Sequence, residues 1–247
     1  MKDVLKFKNV SLTYQTANDE IKAIDDLSFS VKDGEFVSII GPSGCGKSTI
    51  LSLIAGLISP TKGTIEKSND DVGYMLQKDE LFGWRTVIKN VYLPLEIKKI
   101  NDKEKKEYAD HLLNKYGLKK FINSYPNELS GGMRQRVALI RTLVFNPSLL
   151  LLDEPFSALD YQTRLSVCDD VYKIIKEEKK TAILVTHDIS EAISMSDKII
   201  ILSKRPCSVK NVIYTHLDGD TPFFKRESKN FTVYFNKIWN ELTYEKN

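Results

Sequence analysis

Several features that would assign the chain to a particular class of protein are scarce in its sequence. There are only three cysteines, Cys45, Cys168 and Cys207, and their wide, odd spacing resembles neither a disulfide framework nor a metal-binding cluster. No uninterrupted apolar run approaches the roughly 18 residues typical of a transmembrane helix. The first residues also lack the apolar stretch of a secretory signal. We therefore expect a protein of a reducing compartment, the cytoplasm.

An excess of charge of one sign is also missing. The 36 basic residues nearly balance the 33 acidic ones, which leaves a net charge of +3. The basic clusters are interleaved with acids, a pattern more typical of a solvated face than of a nucleic-acid surface, so we expect no nucleic-acid partner. With 42% hydrophobic and 28% charged residues over 247 positions, the composition predicts one large α/β domain, with room for an inserted subdomain.

Hydrophobic periodicity predicts two kinds of sheet. Residues 3–36 read as short strands broken by a polar loop at 16–20, which favours an antiparallel arrangement. Later, the fully apolar runs 148–152 and 182–186 alternate with amphipathic helical patterns, which indicates a parallel sheet covered on both faces. Between about 79 and 146 the pattern is helical, and we interpret this stretch as an insertion into the sheet domain.

One stretch fits the phosphate-binding template of Gly, four residues, Gly-Lys-Ser/Thr, and it stands between an apolar run and a helical pattern. Its residues are Gly41, Pro42, Ser43, Gly44, Cys45, Gly46, Lys47, Ser48 and Thr49. The glycines allow backbone N–H groups to converge on an anion at a helix N-terminus. A plain glycine-rich turn would explain the glycines but not Lys-Ser at the required place. We expect the lysine to reach the β- and γ-phosphates of ATP and the serine to ligate Mg²⁺.

Two carboxylates follow another buried run. Asp153 and Glu154 end the apolar stretch 149–152, and the carboxyl ends of strands are where ligands bind in open α/β sheets. Two acids there could be ordinary surface residues, but phosphoryl transfer needs both a metal anchor and a group that orients the nucleophile. We therefore expect Asp153 to hold Mg²⁺ through its water shell and Glu154 to polarise the attacking water.

A third motif lies between these two. In residues 129–136, Ser130, Gly131 and Gly132 open an apolar-striped helix before Met-Arg-Gln-Arg, which predicts a second N-terminal anion site. The alternative is that Ser130 is a plain N-cap. Together with the phosphate loop and the Asp-Glu strand end, the chain resembles the ATP-binding-cassette ATPases from Val10 to at least Pro206. This resemblance implies a P-loop NTPase fold: a RecA-like parallel-sheet core, an N-terminal antiparallel β subdomain and an inserted α-helical subdomain.

The resemblance also implies where these parts begin and end. The expected boundaries are 1–36 for the antiparallel β region, 37–78 and 145–206 for the nucleotide-binding core, 79–144 for the helical subdomain and 207–247 for a C-terminal extension.

The resemblance also implies roles for individual residues outside these three motifs. Tyr14 resembles the aromatic residue that stacks on adenine, although a buried strand tyrosine is the alternative. Gln77 resembles the glutamine that touches Mg²⁺ and the water. Asp160 ends a stretch, 157–160, that resembles the loop crossing to the partner subunit, and His187 resembles the histidine that contacts the γ-phosphate. With Lys47 and Glu154, Gln77 and His187 make up the expected catalytic set.

In the same family each ATP is held between the phosphate loop of one chain and the Ser-Gly-Gly of another. The resemblance therefore implies a dimer, most simply a homodimer, with ATP and Mg²⁺ as cofactors. Closure on ATP and opening after hydrolysis would then supply the mechanical step.

The segment after Gln77 carries Phe82 and Trp84, aromatic residues suited to anchoring a partner helix. This segment, 151–164 and 202–206 resemble the nitrate/sulfonate/taurine group of importer ATPases, although Gly83 and Cys207 depart from that group's pattern. The implied partners are a transmembrane permease and, indirectly, an extracytoplasmic solute-binding protein, at the cytoplasmic face of the membrane. The alternative is a soluble ATPase that assembles or remodels a macromolecular complex.

The C-terminal stretch and the cysteine of the phosphate loop allow two further predictions. Aromatic and aliphatic residues between 223 and 242 predict a terminal amphipathic helix that packs on the cassette. Cys45, at a helix N-terminus beside Lys47, is expected to have a lowered thiol pKa and to react with alkylating agents in a manner that ATP prevents.

Overall fold

The computed structural model describes residues 2–15 and 19–243, and most of these belong to strands and helices. The strands are, in chain order, β1 Asp3–Gln15, β2 Glu20–Lys32, β3 Phe36–Ile40, β4 Lys62–Lys67, β5 Val72–Met75, β6 Leu149–Asp153, β7 Thr181–Val185, β8 Lys198–Leu202 and β9 Val209–Tyr214. The helices are α1 Lys47–Ile54, α2 Val87–Ile97, α3 Lys103–Lys115, α4 Gly131–Leu143, α5 Tyr161–Glu177, α6 Ile189–Met195, α7 Pro222–Arg226 and α8 Phe231–Thr243, with short 3₁₀ turns at Lys119–Phe121 and Pro126–Glu128.

The central sheet has six strands in the order β5-β6-β7-β3-β8-β9, and all neighbours are parallel except β8 and β9. Every residue of β3, β6, β7 and β8 is buried. This is the state expected of parallel strands covered on both faces, so the predicted sheet is confirmed. Because β3, β5, β6 and β7 run in the same direction, the segments that follow their carboxyl ends meet at one edge of the sheet.

A second, three-stranded antiparallel sheet has the order β2-β1-β4. Its first two strands were predicted, whereas residues 16–18 of the predicted polar loop lie outside the described residues. Strand β4 was missed because the sequence Lys-Gly-Thr-Ile-Glu-Lys has little apolar character, and its residues are exposed or half-buried. The antiparallel sheet therefore takes its third strand from beyond the phosphate loop.

Helices α2, α3 and α4 make up the predicted helical stretch, and their apolar faces form one core with α5 and one face of the central sheet. The opposite face packs with α1 against the antiparallel sheet. Helix α3 ends before Gly117, whose φ is +76°, as expected for a glycine that terminates a helix. The loop residue Cys45 and helix α1 therefore belong to this second core, between the central and the antiparallel sheets.

The C-terminal region adds a strand, a short helix, α7, and a longer one, α8. Strand β9 pairs with β8 at the edge of the central sheet. The predicted terminal helix is split into α7 and α8, and the fully buried Ile238 of α8 packs with α6, β8 and β9. The prediction that this segment packs on the cassette is therefore confirmed. Within residues 2–15 and 19–243, no helix combines the length and the apolar character needed to cross a membrane.

Candidate functional site

The phosphate loop connects β3 to α1 and has the backbone geometry of an anion cradle. Gly44 and Gly46 have φ angles of +72° and +120°, values that favour glycine and that let successive N–H groups turn inward. Lys47 begins α1, and its Nζ donates hydrogen bonds to the carbonyl oxygens of Gly41, at 2.9 Å, and Pro42, at 3.1 Å. The loop's own carbonyls thus hold this ammonium group over the loop.

Asp153 lies beside the loop, at the end of β6. Its two carboxylate oxygens accept hydrogen bonds from Ser48 Oγ at 3.2 Å and from Tyr74 OH at 3.3 Å. Burial raises the pKa of the Asp153 carboxyl, and these two hydrogen bonds oppose the shift. Burial and the neighbouring Asp153 also raise the pKa of Tyr74 to about 12, so its hydroxyl remains a donor at neutral pH.

The oxygen atoms of Ser48 and Asp153 are chemically suited to Mg²⁺, which prefers hard oxygen ligands. The described part of the chain contains no cluster of three or more His, Cys, Asp or Glu side chains that could hold a metal ion. Magnesium in nucleotide sites usually has one or two protein ligands, and water and phosphate oxygens complete its shell. The pair formed by Ser48 and Asp153 fits that pattern.

The side chain of Glu154, just after β6, contacts residues that follow two neighbouring strands, β5 and β7. Its Oε2 lies 3.1 Å from His187 Nδ1, after β7, and 3.4 Å from Gln77 Nε2, after β5. The Glu154 backbone has a φ of 45°, an unusual value for a residue other than glycine, and its N–H donates to the Val185 carbonyl at 2.8 Å. Gln77 also donates to Ser157 Oγ at 3.4 Å. Gln77 thus contacts the residues around Glu154, and its hydrogen bonds do not reach Ser48 or Asp153.

Tyr14 lies on the other side of the loop, near the end of β1. Its hydroxyl is 3.5 Å from Thr49 Oγ1, and 41% of the residue is exposed. A tyrosine of the strand core would be buried. The alternative of a buried strand tyrosine is therefore wrong, and stacking on adenine stays a prediction.

The Ser-Gly-Gly segment and Asp160 both stand at helix N-termini. Ser130 Oγ accepts from Met133 N at 3.3 Å to cap α4, and Asp160 accepts from Thr163 N at 3.1 Å to cap α5. The two helix starts pack together, because a Cβ on Gly131 would lie only 2.9 Å from Leu159 Cδ2. Across the described ranges, no hydrogen bond joins residues 130–132 or Asp160 to residues 41–49. Within the described residues, no hydrogen bond therefore links the two halves of the predicted nucleotide site inside one chain.

The expectation for the thiol in the loop is wrong. Cys45 is 1% exposed, and burial raises its pKa, an effect that outweighs the opposing charge of Lys47. Its side chain points back into the fold, where a Cβ on Gly41 would lie 3.0 Å from the sulfur. The pattern around Cys45 correctly indicated a nearby cation and a helix N-terminus, but it did not reveal that the side chain faces the core.

The segment that carries Phe82 and Trp84 is held by Asn90, a residue that no motif in the sequence singled out. Asn90 is fully buried, accepts a hydrogen bond from Phe82 N at 2.8 Å and donates to the carbonyls of Phe82, Arg85 and Thr86 at 2.9–3.1 Å. The Phe82 and Trp84 rings lie 4.8 Å apart, and Trp84 is 76% exposed. The one available signal was an asparagine within the apolar stripe of α2.

Two arginines of α4 tie this helix to the segment after Gln77. Arg141 donates to the carbonyls of Asp79 and Glu80, each at 2.7 Å, and Arg134 Nε lies 3.0 Å from Asp79 Oδ2. The helix that Ser130 caps is therefore attached directly to the stretch leading to Trp84. Neither arginine was predicted, because the motif gives no indication of where its side chains point.

Comparisons with known proteins show the family to which the chain belongs. Residues 24–157 of the 247 match the family model described as ABC transporter. The uncharacterized ABC transporter ATP-binding protein YtlC of Bacillus subtilis is 47% identical, with 96% of this chain and 95% of YtlC covered. The taurine import ATP-binding protein TauB of Jannaschia sp. is 40% identical, with 82% of this chain and 78% of TauB covered.

A solved structure is similar over most of the fold. It is the dimeric post-hydrolysis state of the ATP-binding cassette MJ0796 with ADP and Pi, which is 35% identical. Its TM-score is 0.71, and the match covers 86% of this chain and 99% of that one. The chain belongs to the ABC transporter family and is an ATP-binding ATPase that is coupled to transport.

Proposed function

We propose that this chain is the ATP-hydrolysing subunit of an importer that takes up a small solute through a separate membrane permease. The observation that carries the proposal is the position of Glu154. Its carboxylate lies between His187 and Gln77 and directly follows Asp153, which is hydrogen-bonded to Ser48 of the phosphate loop. A base, a metal anchor and a phosphate cradle are the groups that phosphoryl transfer to water requires.

In the proposed reaction, water attacks the γ-phosphorus of ATP and ADP leaves. Glu154 accepts a hydrogen bond from this water and draws its proton away as the bond to phosphorus forms. His187 Nδ1 and Gln77 Nε2 restrict the Glu154 carboxylate from two sides. Lys47 balances charge on the β- and γ-phosphates. Mg²⁺, held by Ser48 and through water by Asp153, would neutralise further charge on the same oxygens.

Two copies of the chain are required in this proposal. Residues 130–132 and Asp160 cap their own helices and have no hydrogen bond to residues 41–49 of the same chain. The helix N-terminus at Gly131 therefore remains available to bind the γ-phosphate of an ATP seated on the loop of a second copy. Binding energy of that phosphate would favour the closed dimer, and hydrolysis would release it.

The permease partner would bind where Phe82 and Trp84 are exposed. Asn90 fixes this turn, and Arg134 and Arg141 connect it to the helix that Ser130 caps. A partner helix docked there would thus sense closure of the dimer. The cargo would belong to the nitrate, sulfonate or taurine class or a related one, delivered by an extracytoplasmic binding protein, and the ATPase would work at the cytoplasmic face of the membrane.

The test is to recover the membrane partner. A tagged Glu154→Gln chain, loaded with ATP, is used to capture proteins from detergent-solubilised membranes of the source cell. We expect a polytopic membrane protein, together with a solute-binding protein. Adding Trp84→Ala to this chain should abolish the capture without affecting ATP binding. Trp239→Ala, which changes a 52% exposed tryptophan on α8, is the matched control and should leave the capture intact.

Capture of cytosolic proteins alone, with no chain in the membrane fraction, would contradict the transport proposal. The ATPase would then belong to an assembly or remodelling system. Equal capture by the Trp84→Ala and parent chains would contradict the docking surface but not the transport role.

A further inference from the structure

Arg164, in the first turn of α5, bridges two loops of the site. Its Nη2 donates to the carbonyl oxygen of Leu159 at 3.0 Å, in the loop that ends at Asp160. Its Nη1 lies 3.6 Å from Asp188 Oδ2, in the residue after His187. About a quarter of the side chain, 24%, is exposed. One guanidinium group therefore bridges the loop that ends at Asp160 and residues 186–188, which we call the histidine loop.

The histidine loop is in turn fixed on both sides of His187. Thr186 Oγ1 donates to Glu191 Oε2 at 2.6 Å and accepts from Asp188 N at 3.0 Å. The Asp188 side chain caps α6 by accepting from Glu191 N at 3.1 Å. Because both neighbours of His187 are held, a displacement of Asp188 would be transmitted to the His187 backbone.

One N–H donor of the Arg164 guanidinium group, at Nε, lacks a hydrogen-bond acceptor in this structure. Its Nε is buried without a hydrogen-bond partner and lies 4.0 Å from Oε1 of Glu191, a residue that is only 3% exposed. A buried donor without an acceptor is unfavourable, and a movement of about 1 Å would bring this pair to hydrogen-bond distance. A small shift of Arg164 relative to Glu191 of α6 would therefore give this Nε an acceptor while the guanidinium group still bridges Leu159 and Asp188.

We propose that Arg164 is a positioning residue that couples the loop at Leu159 and Asp160 to His187. Seating of that loop against a second copy of the chain then sets the position of the histidine that holds Glu154. This inference rests on the proposed dimeric ATPase and adds a named route between its two halves. Arginine suits the role because its rigid planar group presents N–H donors in fixed directions to a carbonyl and two carboxylates, whereas the ammonium group of lysine is a compact point charge at the end of a flexible chain.

The test compares Arg164→Ala, Arg164→Lys and His187→Ala, alone and combined. Arg164→Ala should lower kcat about tenfold or more while the KM for ATP stays within about twofold, as expected for a residue that orients a reacting group. Arg164→Lys should recover part of the loss. Lys173→Ala, on an exposed part of the same helix, is the control and should behave like the unmodified chain. Phosphate release is followed with radiolabelled ATP, so that low residual rates are measured.

The combined variant distinguishes coupling from a general loss. If Arg164 acts through His187, adding Arg164→Ala to His187→Ala should slow the reaction no further. Amide hydrogen exchange supplies a readout that does not depend on turnover: Arg164→Ala should accelerate exchange at residues 186–189 and leave residues 41–49 unchanged. If the alanine variant does not fold, Arg164→Lys replaces it in every comparison.

Three results would overturn the inference: a kcat within about twofold of the unmodified chain, multiplicative losses in the combined variant, or unchanged exchange at 186–189. Glu154→Gln is included in the same assay. If it hydrolyses ATP normally, the proposed catalytic site is wrong. If it is inactive while Arg164→Ala is normal, only the coupling through Arg164 is wrong.

Discussion

Replacing Glu154 with glutamine tests the proposed chemistry with the smallest change of shape. The amide has nearly the same size as the carboxylate, and its oxygen can still accept a hydrogen bond from His187 Nδ1, now 3.1 Å away. Gln77, at 3.4 Å, is equally able to remain in place. The substitution therefore removes the negative charge and the basicity of the side chain and leaves its neighbours where they are.

The expected effect follows from the role of a general base. Losing such a group typically slows a reaction by about 10²–10⁴, which corresponds to about 3–5 kcal/mol of barrier. Binding of ATP should change little, because Glu154 makes no hydrogen bond to the phosphate loop among the described residues. The variant should consequently accumulate in the ATP-bound, closed dimer.

The assay has two parts. Phosphate release measures turnover, and size-exclusion chromatography with light scattering measures the dimer with and without ATP. Glu107→Gln, the same change at an exposed position of α3, is the control and should keep normal turnover. A Glu154→Gln chain that hydrolyses ATP at the normal rate would refute the assignment of Glu154. An inactive variant that remains monomeric with ATP would instead refute the shared site.

Three further predictions concern the loop, its thiol and the terminal helix. Lys47→Ala should weaken ATP binding about tenfold or more in calorimetry, because a charge-assisted contact is lost, and unchanged affinity would contradict the cradle. Because the pKa of Cys45 is raised, N-ethylmaleimide should react more slowly with Cys45 than with the free thiol of glutathione at neutral pH. The rate of reaction with Cys45 should increase as the pH rises. Mass spectrometry that shows faster modification would contradict this. Ile238→Ala, in the core, should cost about 2–5 kcal/mol of unfolding free energy in urea, whereas the 64% exposed Val233→Ala should stay within about 0.5 kcal/mol. Equal losses would contradict the packing of α8.

Much of the fold could be read from local patterns in the sequence. The apolar runs of β3, β6 and β7, and the alternation of strands with helical stripes, specify a parallel sheet because each pattern reports burial along a few consecutive residues. The phosphate loop and the acids after β6 could be found for the same reason. Their chemistry depends on spacing within one segment, and spacing is visible in the sequence.

Only the tertiary structure decided which of these segments meet. The contact of Glu154 with His187 and Gln77 depends on the strand order β5-β6-β7-β3, which no local pattern encodes. Strand β4 was missed because its pairing with β1, and not its own apolar character, holds it in the sheet.

The same distinction explains the side chains that were missed or misjudged. The sequence by itself determined that Cys45 follows a glycine turn at a helix N-terminus, but its raised pKa comes from burial by distant residues. Tyr74 and Arg164 were assigned no role from the sequence because their partners, Asp153 and Asp188, are far along the chain. Burial and hydrogen bonding between remote segments are properties of the packed molecule. They emerge only when the layers come together, so the motifs alone could locate the site but not its connections.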